Sequence, residues 1–499
     1  MRASGLAVRV AEREWLTPRR VAIGLALLAG VLAVVVSTVV FPYRSINHDE
    51  GVYLQQAAML LEGHLTIDPP VEGPFRPWFF VEQNGLLYPK YAPVPAAIFA
   101  VGMGLGEATL ALGAVAAATV GLTYATATEA FDYRVGLVAA VLLIATPMFL
   151  IQAGVFLGYL PTLAILLAFA WAYLRADRTG SRRWAAAAGA AAGLAFFSRP
   201  FTAVLFAAPF VAHAGWTMWA DGRPAVVRQL VTAGVGLVGV AVALGYNWVM
   251  TGAPLRFPYQ VFGPNDGPGF GPRELLGYEV DYDLELAVES ADIALSTYVF
   301  RWSVAAPLGV ILAAVGLLLL LRQRLDADPR PLALAGLFAS IPLGQLTFWG
   351  THNAIGNLDN PGLGLMGHLG PFYHLGLIVP TAIFAAFALV RAGAWLRPRL
   401  AALDSGRATV GVLAVLVLVA TLGTGLTVAA VADPVSQNLV VTEEYEAAYE
   451  PFESADFENA MIFLPTPHGD WLAHPFQHLR NDPTLDGKVV YAQDRRVFD

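Results

Sequence analysis

The chain has 499 residues, of which 57% are hydrophobic and 14% are charged. A soluble domain carries about 25% charged residues, so this composition indicates an integral membrane protein. The net charge of −8 argues against nucleic acid as a partner, and the absence of cysteine excludes disulfides, thiolate nucleophiles and cysteine-based zinc sites.

The first apolar segment, residues 21–43, is long enough to cross a bilayer. It is longer than the apolar region of a signal peptide, and no small-residue cleavage site follows it, so we expect a retained signal anchor. The arginines before it should keep the N-terminus in the cytoplasm. They are Arg2, Arg9, Arg13, Arg19 and Arg20.

The motif Asn47-His48-Asp49-Glu50 follows this segment, at the predicted outer surface of the membrane. Two adjacent carboxylates there suit a general base, a metal ligand or both. The alternative is a structural role, because acids in the first turn stabilise a helix by a few tenths to about 1 kcal/mol.

The rest of the first loop, which extends to residue 106, predicts two helices lying along the membrane surface, over residues 50–63 and 93–106. Gly63 would end the first, and the second is too short to span. Lys90 lies between them, flanked by prolines. It could bind a lipid phosphate or serve as a snorkelling membrane anchor.

The apolar pattern predicts an all-α polytopic protein with about eleven transmembrane helices. They lie near residues 21–43, 107–130, 135–153, 159–174, 184–198, 200–219, 226–248, 303–321, 331–349, 371–390 and 409–431. Arginines concentrate in the short loops that this order assigns to the cytoplasm, which supports the orientation.

Most of the polar segments are therefore predicted on the extracytoplasmic side of the membrane, in loops 44–106, 249–302 and 350–370 and in the C-terminal tail. A transporter usually places polar residues near the bilayer midplane, on broken helices. The one-sided distribution here favours an enzyme at the outer leaflet.

The second and third outer loops supply further candidates. Aromatic residues of the second loop could line a sugar or polyprenyl groove, and Arg256 and Arg273 could bind phosphate, although an ordinary packed loop is an equal alternative. His368 and His374 could join Asp49 in an oxygen/nitrogen site for a divalent cation such as Mg²⁺ or Mn²⁺. No ligand spacing identifies such a site.

The tail changes composition at residue 433, so the sequence predicts a transmembrane module over 1–432 and a small extracytoplasmic domain over 433–499. An acidic stretch is followed by two short β-like runs, residues 461–464 and 488–492, which predict a small α/β fold. Such a short segment would rely on the loops for part of its core.

The order of these features resembles the GT-C superfamily, most closely its dolichyl-phosphate-mannose protein mannosyltransferase and aminoarabinose transferase branch. The resemblance covers roughly residues 20–250 and rests on Asp49-Glu50 and on Lys90 with its neighbours. It implies sugar transfer from a polyprenyl- or dolichyl-phosphate donor to a lipid, glycan or protein acceptor. It also implies that Asp49 acts as base or metal ligand and that Lys90 contacts the donor phosphate.

The candidate site therefore has three parts. Catalytic candidates are Asp49 and Glu50; candidates for the donor phosphate are Lys90, Arg256 and Arg273; groove candidates are His48, Tyr53, Tyr88, Tyr91, Tyr259, His352, His368, Tyr373 and His374. One alternative function is a transporter or flippase of lipid-linked saccharides. It would need polar residues within the bilayer, and the predicted spans carry few. Another is a membrane scaffold, which leaves the two carboxylates unexplained.

Overall fold

The computed structural model describes residues 17–275, 278–322, 328–401, 406–454, 457, 459–465 and 481–494. The described chain is mostly helical. The N-terminal Arg2, Arg9 and Arg13 and parts of the predicted C-terminal domain lie outside these residues.

The first helix and the first loop have the predicted order of elements. Helix α1 (Pro18–Val39) begins with Thr17 as its cap, and α2 (Asp49–Leu61) follows. Strands β1 (Phe80–Gln83) and β2 (Leu86–Pro89) pair antiparallel, and α3 (Val94–Gly104) packs on α2. Asn84 and Gly85 both have positive φ in the two-residue turn, which suits Asn-Gly in a tight hairpin. Both predicted helices of this loop are therefore present.

The central helices follow in chain order. They are α4 (Thr109–Ala130), α5 (Tyr133–Ile144), α6 (Pro147–Ala153), α7 (Tyr159–Thr179), α8 (Arg182–Ser198), α9 (Pro200–Asp221) and α10 (Arg223–Thr251). The second loop then contains α11 (Pro258–Phe262), the antiparallel strands β3 (Gly271–Leu275) and β4 (Tyr278–Tyr282), and α12 (Leu284–Thr297), which continues into a π-helix (Tyr298–Trp302).

The C-terminal half is also helical. It comprises α13 (Leu308–Arg322), α14 (Arg330–Ala335), α15 (Leu337–Gln345), α16 (Gly350–Ile355), α17 (Leu365–Leu369), a 3-10 helix (Phe372–Leu377), α18 (Ile378–Ala401) and α19 (Gly406–Ser454). The main apolar core lies among the bundle helices, with α4, α5, α7 and α18 as large contributors.

Fewer helices than predicted are long and apolar enough to span a membrane. Among the described residues there are six, or seven if α5 and α6, which meet at a 67° bend, form one span. The prediction of eleven spans is not confirmed, because α13 has 15 residues and α14 and α15 are separate short helices. Broken and short helices have the same apolar composition as a spanning helix, so a count based on hydropathy alone includes them as spans.

Helices α8 and α10 run parallel in very close contact. A Cβ atom at Gly239 would lie 2.6 Å from the Cα atom of Gly193, and one at Gly189 would lie 2.4 Å from the carbonyl oxygen of Thr232. Small residues permit this backbone approach, as they do in many membrane helix pairs.

The end of the chain returns to the first loop. Strands β5 (Ala460–Pro465) and β6 (Val489–Asp494) pair in parallel, so both predicted β-like runs are confirmed as strands. The side chain of Gln55 on α2 donates to the carbonyl oxygen of Asn481 at 3.0 Å, and Leu485 packs against the cluster containing Val52. Helix α19 continues through residue 433, and the division into two domains there stays a prediction.

Candidate active site

The start of α2 separates the two adjacent carboxylates. The side-chain oxygen of Asn47 accepts a hydrogen bond from the Asp49 backbone N–H at 3.0 Å, so Asn47 satisfies one of the N-terminal helix donors that have no partner within the helix. The Asp49 carboxylate instead faces Lys90, with 3.9 Å between Oδ1 and Nζ, and its side chain is 14% exposed. Asp49 is thus a partly accessible carboxylate beside a cation.

Glu50 points the other way and is fully buried. One carboxylate oxygen accepts from the backbone N–H of Ser45 at 2.8 Å and from the Ser45 hydroxyl, and the other accepts from the Phe156 N–H at 2.8 Å. Burial raises the pKa of Glu50, while these hydrogen bonds lower it. The carboxylate joins the first loop to the segment after α6, and this geometry favours a structural role over the predicted catalytic one.

Lys90 lies in an aromatic enclosure and is only 4% exposed. Its Nζ atom lies 3.9 Å from the ring centre of Phe79, 4.9 Å from those of Tyr91 and Phe262, and 5.3 Å from that of Tyr259. Burial lowers the pKa of Lys90, and Asp49 and Asp266 oppose this change. The rings and carboxylates together stabilise a desolvated cation.

Asp266, in the second loop, is a site residue that the sequence did not indicate. It is buried, and its Oδ1 atom accepts a hydrogen bond from the indole N–H of Trp349 at 2.9 Å. Burial raises the pKa of Asp266 and outweighs the opposing effects of Lys90 and of hydrogen bonds from Tyr259 and Trp349, so that the resulting pKa is about 6. Asp266 therefore connects the second and third loops beside Lys90.

Arg199 supplies a second cation at the junction of α8 and α9. It precedes Pro200 and has extended backbone angles, φ −150° and ψ 90°, which the following proline favours. Its guanidinium lies 4.1 Å from the ring centre of Tyr159, and Nη1 donates to the Tyr53 hydroxyl at 3.4 Å. An arginine in a short break between two apolar helices was the signal that could have identified it.

Five tyrosines surround these charges. The rings of Tyr53 and Tyr91 stack at 4.9 Å, and those of Tyr159 and Tyr373 meet edge to face at 5.6 Å. Tyr259 contacts Tyr91 at 6.1 Å. Four of them were predicted, and Tyr159 is new. The result is an aromatic wall around two carboxylates and two cations, drawn from the first loop, the start of α7, the junction of α8 and α9, the second loop and the 3-10 helix before α18.

Some predicted groove residues lie beside this centre. His48 packs its ring 5.0 Å from that of Trp78 and 5.8 Å from that of Phe79. Tyr88 donates to the side chain of Gln83 at 2.7 Å within the first-loop hairpin. These residues support the enclosure of Lys90 without a described contact to its ammonium group.

Other predicted residues have different surroundings. Arg273 donates to the carbonyl oxygen of Phe270 at 2.9 Å, and Arg256 is exposed. His352 contacts the hydroxyl of Tyr278 at 3.0 Å, which joins α16 to β4. None of the three has a described contact with Lys90, so the geometry gives no support to their predicted roles.

The predicted metal ligands are not brought together. Within the described ranges, no group of three His, Asp or Glu side chains is placed to hold a metal ion, and the set of Asp49, His368 and His374 stays a prediction. His374 is buried in the 3-10 helix before α18, and His368 interacts with Asn438 on α19. Beside Asp49 and Asp266 the positive charge is the Lys90 ammonium, so the residues present do not fit a metal.

Comparison with known proteins identifies similar families and folds. Residues 90–259 match the family described as dolichyl-phosphate-mannose-protein mannosyltransferase. Residues 460–499 match a family described as a domain of unknown function (DUF7846). No curated protein sequence matches the chain.

Solved structures extend the likeness to nearly the whole chain. ArnT from Cupriavidus metallidurans, bound to undecaprenyl phosphate, superposes with a TM-score of 0.56 at 16% identity over 94% of this chain and 86% of that one. Its apo state gives a TM-score of 0.53 at 17% identity, over 90% and 84%. The chain has the GT-C fold. The GT-C resemblance inferred from the first-loop motifs is thereby confirmed.

A second GT-C protein is also similar. The oligosaccharyltransferase AglB from Archaeoglobus fulgidus, in complex with an inhibitory peptide and a dolichol-phosphate, superposes with a TM-score of 0.51 at 13% identity. The match covers 94% of this chain but only 64% of AglB, so the present chain spans less than two thirds of that protein.

Proposed function

We propose that this GT-C protein is a membrane glycosyltransferase that moves a sugar from a polyprenyl-phosphate donor to an acceptor. The single observation that carries the proposal is that Asp49 and Lys90 meet at 3.9 Å beside tyrosines that also contact Arg199. The family match over residues 90–259 and the GT-C fold support it.

The reaction has simple requirements that these residues meet. The acceptor hydroxyl or amide forms a bond to the anomeric carbon of the sugar, the bond between that carbon and the phosphate oxygen breaks, and polyprenyl phosphate leaves. Asp49 takes the acceptor proton. Lys90 and Arg199 stabilise the negative charge on the departing phosphate, which is where preorganised cations contribute most.

Asp49 suits the base better than the other two carboxylates do. Glu50 has both oxygens occupied by hydrogen bonds, and Asp266 is buried with its Oδ1 atom bonded to Trp349. Asp49 is the one of the three whose side chain retains 14% exposure. An acceptor must reach its base directly, so access decides among them.

Sugar transfer by the purified full chain from polyprenyl-phosphate donors tests the function. Loss of transfer in Asp49→Asn, with transfer retained in Glu62→Gln, supports the proposal. Glu62 is an exposed acid at the end of the same helix and controls for the loss of a carboxylate on α2. Vesicle translocation of a lipid-linked saccharide without sugar transfer would instead favour the flippase.

We propose further that the site faces the extracytoplasmic side, as the arginine distribution predicts. Single cysteines are informative because the chain has none. Glu72→Cys, in the first loop, should react with an impermeant reagent applied outside, and Thr179→Cys, at the opposite end of the bundle, should not. The reverse pattern would overturn the orientation.

A further inference from the structure

A long apolar groove opens between α9 and α10, separate from the candidate active site. Its volume is about 590 Å³, and α7 and α8 form its floor. The lining is apolar apart from three residues, Tyr173, Gln229 and Thr232. On α9 it extends from Ala203 to Met218.

The groove has the length of one lipid acyl chain. At 1.5 Å per helical residue, the lined part of α9 is about 22 Å long. Two opposed leaflets of acyl chains form a hydrocarbon core of about 30 Å, so one extended chain fits within this length. Val204, Val211, Leu230 and Leu237 border the groove and are each more than half exposed, so it opens sideways towards lipid.

One end of the groove is level with the tight turns that join α7 to α8 and α9 to α10. The side chain of Gln229 donates to the Thr217 hydroxyl at 3.4 Å, and the Thr232 hydroxyl donates to the carbonyl oxygen of Ala185 at 3.1 Å. These bonds place the start of α8 and the end of α9 beside the Gln229 end of the groove. Trp219, 84% exposed, lies there too, as expected of a membrane interface.

Some arginines at this end are paired with acids, and others are not. Arg228 pairs with Asp177 at 2.6 Å, and Arg175 and Arg178 pair with Glu129. By contrast, the exposed side chains of Arg182, Arg183 and Arg223 form no salt bridge within the described part of the chain. Asp221 is the exposed acid beside them, so the positive charge exceeds the negative charge here.

We propose that the groove binds one acyl chain of an anionic glycerophospholipid, whose phosphate lies at Arg182, Arg183 and Arg223. The arginines attract the headgroup, and the apolar lining receives the chain. The groove stops at Ala203, one helical turn from Arg199, and no residue of the candidate active site lines it. This separation favours a phospholipid entering from the arginine end over the polyprenyl chain of a donor entering from the other.

Native mass spectrometry of the purified full chain tests the proposal. The protein is delipidated and then exposed to equal amounts of phosphatidylglycerol and phosphatidylcholine with matched acyl chains. One retained phosphatidylglycerol per chain is expected. Each arginine near an anionic lipid contributes roughly a fivefold preference, so replacing all three with glutamine should reduce the preference by up to roughly a hundredfold. Arg19, Arg391 and Arg397, replaced together, form the charge-matched control.

A second variant tests the groove itself. Ala207→Trp with Ala214→Trp fills its middle, and retention of phosphatidylglycerol should be lost. Val31→Trp with Val35→Trp, on the exposed face of α1, is the matched control and should retain it.

Equal retention of both lipids, or retention unaffected by the groove-filling and arginine variants, would overturn the proposal and indicate only general membrane contact. With polyprenyl phosphate added to the same lipid mixture, its retention in place of phospholipid, lost on filling the groove, would also overturn the proposal. If the groove-filling variant fails to fold, the arginine variant decides alone, because its changes are all on the surface.

Discussion

Replacing Lys90 with methionine tests how the site binds the donor phosphate. Methionine keeps the length and apolar character of the side chain, so it still fits among Phe79, Tyr91, Tyr259 and Phe262. The change removes a charge-assisted contact of about 1.5–3 kcal/mol. This corresponds to an increase in the KM for the donor of roughly 10- to 150-fold, since every 1.4 kcal/mol is tenfold.

The same change should alter the ionisation of Asp266. Lys90 lowers the pKa of this carboxyl, which burial raises to about 6. Without the ammonium the pKa of Asp266 should rise further. The titration of Asp266, and any activity change that follows it, should therefore shift towards neutral pH. The shift can be measured from activity profiles or, with carbon-13-labelled aspartate, from NMR titration.

The assay is sugar transfer at varied donor concentration, with Lys488→Met as control. Lys488 is the only other lysine of the chain and is exposed. Lys90→Arg should retain part of the donor affinity, because the charge remains. An unaltered donor dependence in Lys90→Met would refute the phosphate-binding role and leave Lys90 with a structural role in the aromatic enclosure.

Three further predictions concern residues around this centre. Arg199→Gln should raise the KM for the donor while Arg256→Gln leaves it unchanged; equal effects would contradict the role of the second cation. The folded protein binds the Asp266 proton more tightly than the unfolded chain does, so the parent should lose about 3 kcal/mol of stability as the pH rises from about 4 to above 6. Asp266→Asn has no such proton and should not show this loss. Thermal unfolding at several pH values checks it, and identical pH profiles for variant and parent would contradict it. Glu50→Ala should lower the unfolding temperature by leaving buried N–H groups at Ser45 and Phe156 unpaired, at about 1–3 kcal/mol each, whereas a folded Glu50→Gln protein should still transfer sugar. A folded but inactive Glu50→Gln would restore its catalytic role.

The local features of the site were predictable because they are encoded in short segments. The acid pair after the first apolar helix, the surface helix that ends near Gly63 and the proline-flanked Lys90 all lie within one loop. Two of these residues, Asp49 and Lys90, do meet in the structure.

The sequence could not separate Asp49 from Glu50. Neighbouring residues on a helix point about 100° apart, and only the packed fold decides which side chain faces the enclosure and which is buried against Phe156. Nor could it connect Asp266 and Arg199 with Lys90, because these electrostatic interactions join segments more than a hundred residues apart.

The predicted metal ligands are not brought together in the described structure, for a related reason. Histidines in a polar-looking loop suggested ligands, but His374 is fully buried in the helix that follows the loop. Eleven predicted spans compare with six or seven candidate spans among the described residues, since sequence hydropathy does not separate a broken helix from a continuous one.

The central claim is that Asp49 is the general base of sugar transfer. Asp49→Asn keeps the shape of the side chain but cannot accept a proton. The decisive measurement is single-turnover sugar transfer by purified Asp49→Asn at saturating donor, after the variant is shown to be folded and to bind the donor. A general base contributes about two to four orders of magnitude in rate, so the account predicts a loss of this size with donor binding retained. Transfer by Asp49→Asn at nearly the parental rate would contradict it.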